Sequence, residues 1–68
     1  MQLIINGEPR LVEPPITLAT LVDQLAMKAD RLAIELNRNI VPRDRWPSIE
    51  LVEGDQLEIV HFVGGGYL

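Results

Sequence analysis

Apolar positions along the chain follow two periods, and the change between them divides the sequence into predicted elements. Gln2 to Asn6 is rich in Leu and Ile and predicts a strand. The Asn6-Gly7 pair predicts a hairpin turn, because both residues tolerate a positive φ. Arg10 to Glu13 then predicts a short return strand, which Pro14-Pro15 ends because proline cannot donate to a ladder.

The helical period begins after Thr17, the predicted N-cap. Four apolar residues then form one stripe with the spacing i, i+3, i+4 and i+7: Leu18, Leu21, Val22 and Leu25. The helix is expected to end between Met27 and Ala29. This stripe is expected to pack on four strand residues as the core: Ile4, Ile34, Leu57 and Ile59.

Three further strands are predicted in the second half of the chain. Leu32 to Leu36 alternates and indicates a half-buried strand, and Ile40-Val41 indicates a very short one. Arg43 to Ile49 is predicted to be a surface loop with one 3₁₀ turn. Gln56 to Val63 is almost continuously apolar, which favours a strand in the middle of a sheet with both faces partly covered.

The predicted order is therefore β-β-α-β-β-β in an α+β fold. A first hairpin, a helix and a last strand beside the first define the β-grasp, or ubiquitin-like, arrangement. Its mixed sheet has about five strands, two of them short, with one helix on one face. A ferredoxin-like fold would need a second helix, and Arg43 to Ile49 is too short and proline-bounded to supply it. Residues 1–63 are predicted to form this domain and residues 64–68 a flexible glycine-rich tail.

Composition limits the partners of the chain. Its 68 residues carry a formal net charge of −4, and Lys and Arg form no run, which argues against nucleic acid or an anionic membrane surface. The absence of cysteine excludes a disulfide framework. The first residues lack the features of a signal peptide, and no apolar stretch approaches the roughly 20 residues that span a bilayer. We expect a soluble cytoplasmic protein.

No catalytic or metal-ligating constellation is evident in the sequence. His61 has no acid, serine or cysteine directly beside it in the sequence and is interpreted as an ordinary strand histidine. Glu50, Glu53 and Asp55 surround a glycine turn and are expected to be solvated. Trp46 is the one large residue of a polar loop. We expect it to cover the edge of a small core rather than to contact a partner.

The end of the chain is more informative. Gly64, Gly65 and Gly66 directly follow the predicted central strand, and a segment without Cβ atoms can enter a slot that side chains would block. Four extended residues beyond Phe62 reach about 14 Å. A domain without catalytic groups but with such an end suggests a carrier whose reactive atom is its own C-terminal carboxylate.

The same residues resemble the ThiS family, the sulfur carriers of thiamine biosynthesis. The resemblance covers nearly the whole chain: MQLIINGEP at the start, Leu32 to Asn37, Asn39 to Trp46 (NIVPRDRW) and Gly54 to Gly66. The small subunit of molybdopterin synthase shares the fold and the Gly-Gly end. It is usually longer and lacks the VPRxxW loop, so it is the alternative within this class. A non-catalytic ubiquitin-like interaction module is the alternative from another class.

The resemblance implies a carrier protein that is not itself an enzyme and that is a monomer when free. A ubiquitin-activating-type adenylyltransferase, holding ATP and magnesium, would adenylate Gly66. A sulfur donor enzyme would convert the adenylate to a thiocarboxylate, and thiazole synthase would take the sulfur for the thiazole ring. The carrier would bind no cofactor and no metal of its own. Val60 and Phe62 are predicted to form an apolar partner-binding patch on the helix-free face of the sheet.

Tyr67 and Leu68 depart from the family pattern, in which the chain ends at Gly-Gly. A glycine inside a peptide bond has no free carboxylate to adenylate. Three alternatives stay open at this point: the two residues are removed, the carrier is inactive with them, or they do not belong to the natural chain.

Overall fold

A five-stranded sheet with one covered face is the framework of the computed structural model, which describes residues 1–61. The elements in chain order are β1 (Gln2–Ile5), β2 (Glu8–Leu11), helix α1 (Leu18–Gln24), a 3₁₀ helix (Ala29–Arg31), β3 (Leu32–Leu36), β4 (Asn39–Ile40), a second 3₁₀ helix (Arg43–Ser48) and β5 (Gln56–His61). The strand order is β2-β1-β5-β3-β4. β5 pairs parallel with β1 and antiparallel with β3, so the predicted mixed sheet with β5 at its centre is confirmed.

The first hairpin has the predicted Asn6-Gly7 turn, but β2 begins two residues earlier than predicted. Asn6 and Gly7 have φ of 51° and 83°, as a type I′ turn requires. A two-residue turn pairs Ile5 directly with Glu8, so β2 begins there and not at Arg10. Pro9 is tolerated inside β2 because this strand lies at the edge of the sheet.

A second turn of the same kind joins β3 to β4. Asn37 and Arg38 have φ of 51° and 73°, and Leu36 pairs with Asn39. β4 is therefore Asn39–Ile40, one residue earlier than the predicted Ile40-Val41. The two-residue loop again determines which residues can pair.

Helix α1 begins as predicted and ends earlier. The Thr17 Oγ1 accepts a hydrogen bond from the Thr20 N–H at 3.1 Å, which confirms the N-cap. Ala26 has a φ of 59°, and its N–H donates to the Asp23 carbonyl. The Met27 N–H donates to the Val22 carbonyl, and the two bonds together make a Schellman motif. This motif ends α1 at Gln24 and not between Met27 and Ala29.

The core lies between α1 and the sheet, and the predicted helical stripe is confirmed: Leu18, Leu21 and Val22 are buried and Leu25 is partly buried against them. The prediction of Ile4 as a core residue was wrong. Leu3 is fully buried in its place, and Ile4 lies on the other face of β1, opposite Pro9. Among residues 1–61, the core comprises twelve buried apolar residues: Leu3, Val12, Ile16, Leu18, Leu21, Val22, Leu32, Ile34, Trp46, Leu51, Leu57 and Ile59.

Trp46 closes one edge of this core. The 3₁₀ helix Arg43–Ser48 is exposed at its other positions, while the Trp46 side chain is buried in the core cluster. Its Nε1–H donates to the Val41 carbonyl at 3.0 Å, which gives the buried indole a partner. The prediction that Trp46 covers the core is confirmed.

The carboxylates of the turn before β5 were expected to be solvated. This prediction was wrong for Asp55, which is only 8% exposed. One carboxylate oxygen accepts from the Asn37 side-chain amide at 3.0 Å, and the other accepts from the Val52 N–H at 2.8 Å. Glu50 and Glu53 are exposed, as expected. Asp55 is buried because it satisfies donors of two different loops, which gives it a structural role.

Candidate functional site

The candidate site is the C-terminal end of β5, at His61, which is the last residue that the structure describes. Each neighbouring strand supports it differently. On the β3 side, backbone pairing continues to the last described residue, where His61 lies opposite Leu32. On the β1 side, regular pairing with β5 reaches only Leu57. The predicted tail residues Gly64, Gly65 and Gly66, and also Phe62, lie outside the described residues, as does the predicted domain boundary after residue 63.

Asn6 continues the support on the β1 side. Its backbone N–H donates to the Leu57 carbonyl at 2.8 Å. Its side-chain Oδ1 accepts from the Ile59 N–H at 2.8 Å, and its Nδ2 donates to the Ile59 carbonyl at 3.2 Å. The amide therefore replaces the two backbone groups that a longer β1 would have offered, and β5 stays in the sheet on both sides up to Ile59.

The helix-free face of the sheet is formed by the alternate residues of the same strands. Val60 is 58% exposed and lies opposite Ala33 on β3, so its predicted position on this face is confirmed. Glu58 lies opposite Glu35, and Glu35 lies opposite Ile40, which is 76% exposed. The face near the end of β5 thus combines apolar side chains with two carboxylates.

On the helix-free face, the charged residues of the described strands are all acidic. Arg10, the one basic residue within β1 to β5 as described, lies opposite the buried Leu3 and so points to the helix side. The remaining basic residues are in turns, connecting segments and the 3₁₀ helices: Lys28, Arg31, Arg38, Arg43 and Arg45. The helix-free face is therefore an acidic and apolar surface.

Sequence reasoning missed Asn6, Glu35, Glu58 and Ile40 as parts of this site. The alternation of Leu32 to Leu36 already placed Glu35 outward, and the alternation of β5 did the same for Glu58. What brings these two residues together is the order and register of β3 and β5, which a single sequence does not contain.

Candidate chemical groups in the described residues are His61 and any cluster of side chains that could hold a metal ion. His61 is exposed at the end of β5. Within residues 1–61, no group of three or more His, Asp or Glu side chains is placed to hold a metal ion. None of the helices in these residues has the length and apolar content needed to cross a membrane.

A central last strand, paired parallel with the first and packed with one helix, defines a β-grasp, or ubiquitin-like, protein. A solved structure with this arrangement is the thiamine biosynthesis protein ThiS from Geobacter metallireducens, which superposes with a TM-score of 0.83 at 29% identity and covers 97% of this chain and 100% of its own. The ThiS family model matches residues 3–66. The chain belongs to the ThiS family.

Two relatives show how this unit occurs elsewhere. The sulfur carrier protein ThiS of Bacillus subtilis is 36% identical over 50 residues, which are 74% of this chain and 76% of that protein. A thiazole synthase of Paramagnetospirillum magneticum is 39% identical over 66 residues, which are 97% of this chain. The chain spans only 20% of the length of that thiazole synthase. A ThiS-like unit therefore occurs both as a separate small protein and within a longer one.

Proposed function

We propose that this protein is a sulfur carrier that delivers sulfur, as a C-terminal thiocarboxylate, for the thiazole ring of thiamine. The observation that carries the proposal is the family match, which extends from β1 to Gly66 and so includes the glycine segment after the central strand. The relatives named as sulfur carriers and the fold of the solved ThiS structure support it. The cytoplasmic location expected from the sequence stays a prediction.

The proposed reaction sequence begins at the carboxylate of Gly66. A carboxylate oxygen attacks the α-phosphate of ATP, pyrophosphate leaves, and an acyl-adenylate forms. A sulfur nucleophile from the donor enzyme then attacks the acyl carbon, and the C–O bond to AMP breaks. Magnesium and cationic groups of the adenylyltransferase would stabilise the charge on the phosphates. With a persulfide as the nucleophile the intermediate is an acyl disulfide. A second thiol of the donor attacks the donor's own sulfur, the S–S bond to the carrier breaks, a donor disulfide forms, and the thiocarboxylate leaves. Thiazole synthase then takes that sulfur.

The contribution of the carrier is to present its end rather than to catalyse. Glycines 64 to 66 let the segment enter a narrow channel, because they add no side chain to the backbone. The β5 strand, which β3 holds on one side and Asn6 on the other, would present the segment that follows it to the enzyme. Val60, with Phe62 after it, would contact the enzyme that binds the segment.

The test uses a polypeptide ending at Gly66, incubated with the adenylyltransferase of the same organism, Mg-ATP and a sulfur donor. Intact-mass analysis should show the replacement of one oxygen by sulfur. The reaction without ATP is the control and should show no change. If the Gly66-ending polypeptide binds the enzyme but gains neither AMP nor sulfur, the carrier function is wrong and the interaction-module alternative is supported.

A further inference from the structure

Two carboxylates face each other on adjacent strands of the helix-free face. Glu35 on β3 and Glu58 on β5 are directly opposed in the antiparallel register, and both are exposed. Directly opposed residues of such a pair have Cβ atoms about 4.5–5.5 Å apart, and like charges at this distance destabilise the sheet. The fold alone therefore gives no reason for two carboxylates at these positions.

The described strands supply no counter-charge on that face. Arg10 points to the helix side, and the other five basic residues lie outside the strands. The chain as a whole carries a formal net charge of −4, so the surrounding charge adds to the local one. A positively charged group of another molecule would be attracted here by the carboxylate pair and by the negative charge of the whole chain.

Apolar side chains border the carboxylate pair. Ile40 lies beside Glu35 and is 76% exposed, while Val60 and Ala33 form the next cross-strand pair of this face toward the end of β5. A hydrated metal ion would leave Ile40 and Val60 in water. A protein surface with a cation among apolar residues would bury them and would also exclude water from the charge contact, which strengthens it.

The pair is also close to the segment that the proposed reaction uses. Glu58 is three residues before His61, the last described residue, and its backbone lies between the β3 pairing and the Asn6 contacts. An enzyme that holds the following residues in its active site must approach this end of β5. The enzyme surface next to its channel is therefore the surface that would meet Glu35 and Glu58.

We infer that Glu35 and Glu58 together receive an arginine or lysine side chain of the adenylyltransferase, with Ile40, Ala33 and Val60 forming the apolar border of the contact. This inference rests on the proposed function, because that function names the enzyme. The pair recognises the partner and positions the carrier, and it takes no part in bond making. Relief of the repulsion between the two carboxylates on binding favours the complex over the free chain.

The experiment compares three polypeptides ending at Gly66: the unchanged chain, Glu35→Gln with Glu58→Gln, and Glu8→Gln. Glu8 is an exposed strand carboxylate opposite Ile5, on the helix side, so its replacement removes charge without touching the face. Affinity for the purified adenylyltransferase is measured by titration at low and at high NaCl. Thiocarboxylate formation is measured with the carrier at saturating concentration.

The double variant should bind at least about tenfold more weakly at low salt, as expected for the loss of a close charge contact. It should lose most of the salt dependence, reach the same rate at saturation, and unfold at no lower temperature than the unchanged chain. Glu8→Gln should bind like the unchanged chain. Equal affinity of all three, or equal weakening by Glu8→Gln, overturns the inference.

The two proposals fail in different ways. If affinity depends on Glu35 and Glu58 but no polypeptide gains sulfur, the surface is supported and the carrier function is overturned. If the unchanged chain gains sulfur and the double variant binds equally well, the function stands and the surface is overturned. Failure of the unchanged chain to bind the enzyme at all overturns the surface.

Discussion

The Asn6 side chain holds Ile59 by both of its backbone groups, accepting from the N–H at 2.8 Å and donating to the carbonyl at 3.2 Å. Asn37 acts on the other end of the same strand, where its Oδ1 accepts from the Gln56 N–H at 3.0 Å. Both asparagines have a φ of 51° at the first position of a two-residue turn. The turn that closes each hairpin thus also fixes one end of β5.

Replacement of Asn6 by Gly should loosen the end of β5 next to the tail. Glycine accepts the same positive φ, so the turn is kept and only the two side-chain hydrogen bonds are lost. We expect a loss of about 1–3 kcal/mol in unfolding free energy and faster amide hydrogen exchange at Ile59 to His61. Asn37→Gly is the matched control and should increase exchange at Gln56 instead. Equal exchange at Ile59 in both variants would show that the Asn6 amide does not hold the strand.

The core assignment predicts a large difference between two leucines. Leu21 is fully buried on the core-facing side of α1, whereas Leu11 on the edge strand β2 is 78% exposed. Leu21→Ala should cost about 2–5 kcal/mol, and Leu11→Ala should stay within about 0.5 kcal/mol. A domain of this length is expected to have about 3–10 kcal/mol in total, so Leu21→Ala should leave a marginal fold. Urea unfolding measures both, and unchanged unfolding of Leu21→Ala would contradict the assignment.

How far the sequence predicts this fold is clearest in β1. The Asn6-Gly7 turn is evident, but Leu3, Ile4 and Ile5 are three consecutive apolar residues, so alternation permits either face to be the buried one. The pairing of Ile5 with Glu8 and the packing of α1 place Leu3 on the buried face. The strand was predictable, whereas its orientation depended on a tertiary contact.

The misinterpreted residues share one cause, which is a partner distant in sequence. Asp55 looked solvated because its contact with Asn37 joins residues 18 positions apart. The alternation within each strand placed Glu35 and Glu58 on the outward face, but it did not show that the two residues are neighbours. Val60 was predictable because alternation within β5 alone places it. Where apolar and polar residues alternate clearly, as in β3 and β5, the local pattern identifies which face a residue takes, and the strand order determines what it meets there.

The early end of α1 gives a prediction about backbone conformation. Ala26 has a φ of 59°, where its Cβ crowds the following carbonyl, and glycine has no such penalty. Ala26→Gly should therefore stabilise the protein by about 0.5–1 kcal/mol after the larger entropy of the unfolded chain is counted. Ala19→Gly, inside α1, should destabilise it by about 1 kcal/mol. Thermal unfolding of both variants measures the sign, and destabilisation by Ala26→Gly would contradict the Schellman motif.

Partner binding should distinguish two equally exposed valines. Val60 is 58% and Val52 57% exposed, but Val60 lies near the tail end of β5 and Val52 precedes the turn at its other end. Val60→Ser should weaken binding to the adenylyltransferase by roughly tenfold, because a buried apolar contact bordering the carboxylate pair is lost. Val52→Ser should leave affinity unchanged. Both should fold, and equal affinities in a titration would remove Val60 from the proposed contact.

The residues after Gly66 should affect the reaction of the carrier with the adenylyltransferase more than its binding to that enzyme. In a polypeptide ending at Leu68, the Gly66 carbonyl belongs to an amide, and the side chains of Tyr67 and Leu68 are too wide for a channel shaped for glycine. We expect this polypeptide to accept neither AMP nor sulfur, while the one ending at Gly66 accepts both. Its affinity should fall less than its reactivity, because Glu35, Glu58 and Val60 are unchanged. Intact-mass analysis after incubation with the adenylyltransferase, Mg-ATP and sulfur donor measures the difference. A thiocarboxylate on Leu68 would show that the terminal glycine is not required, and the proposed role of the glycine segment would then be wrong.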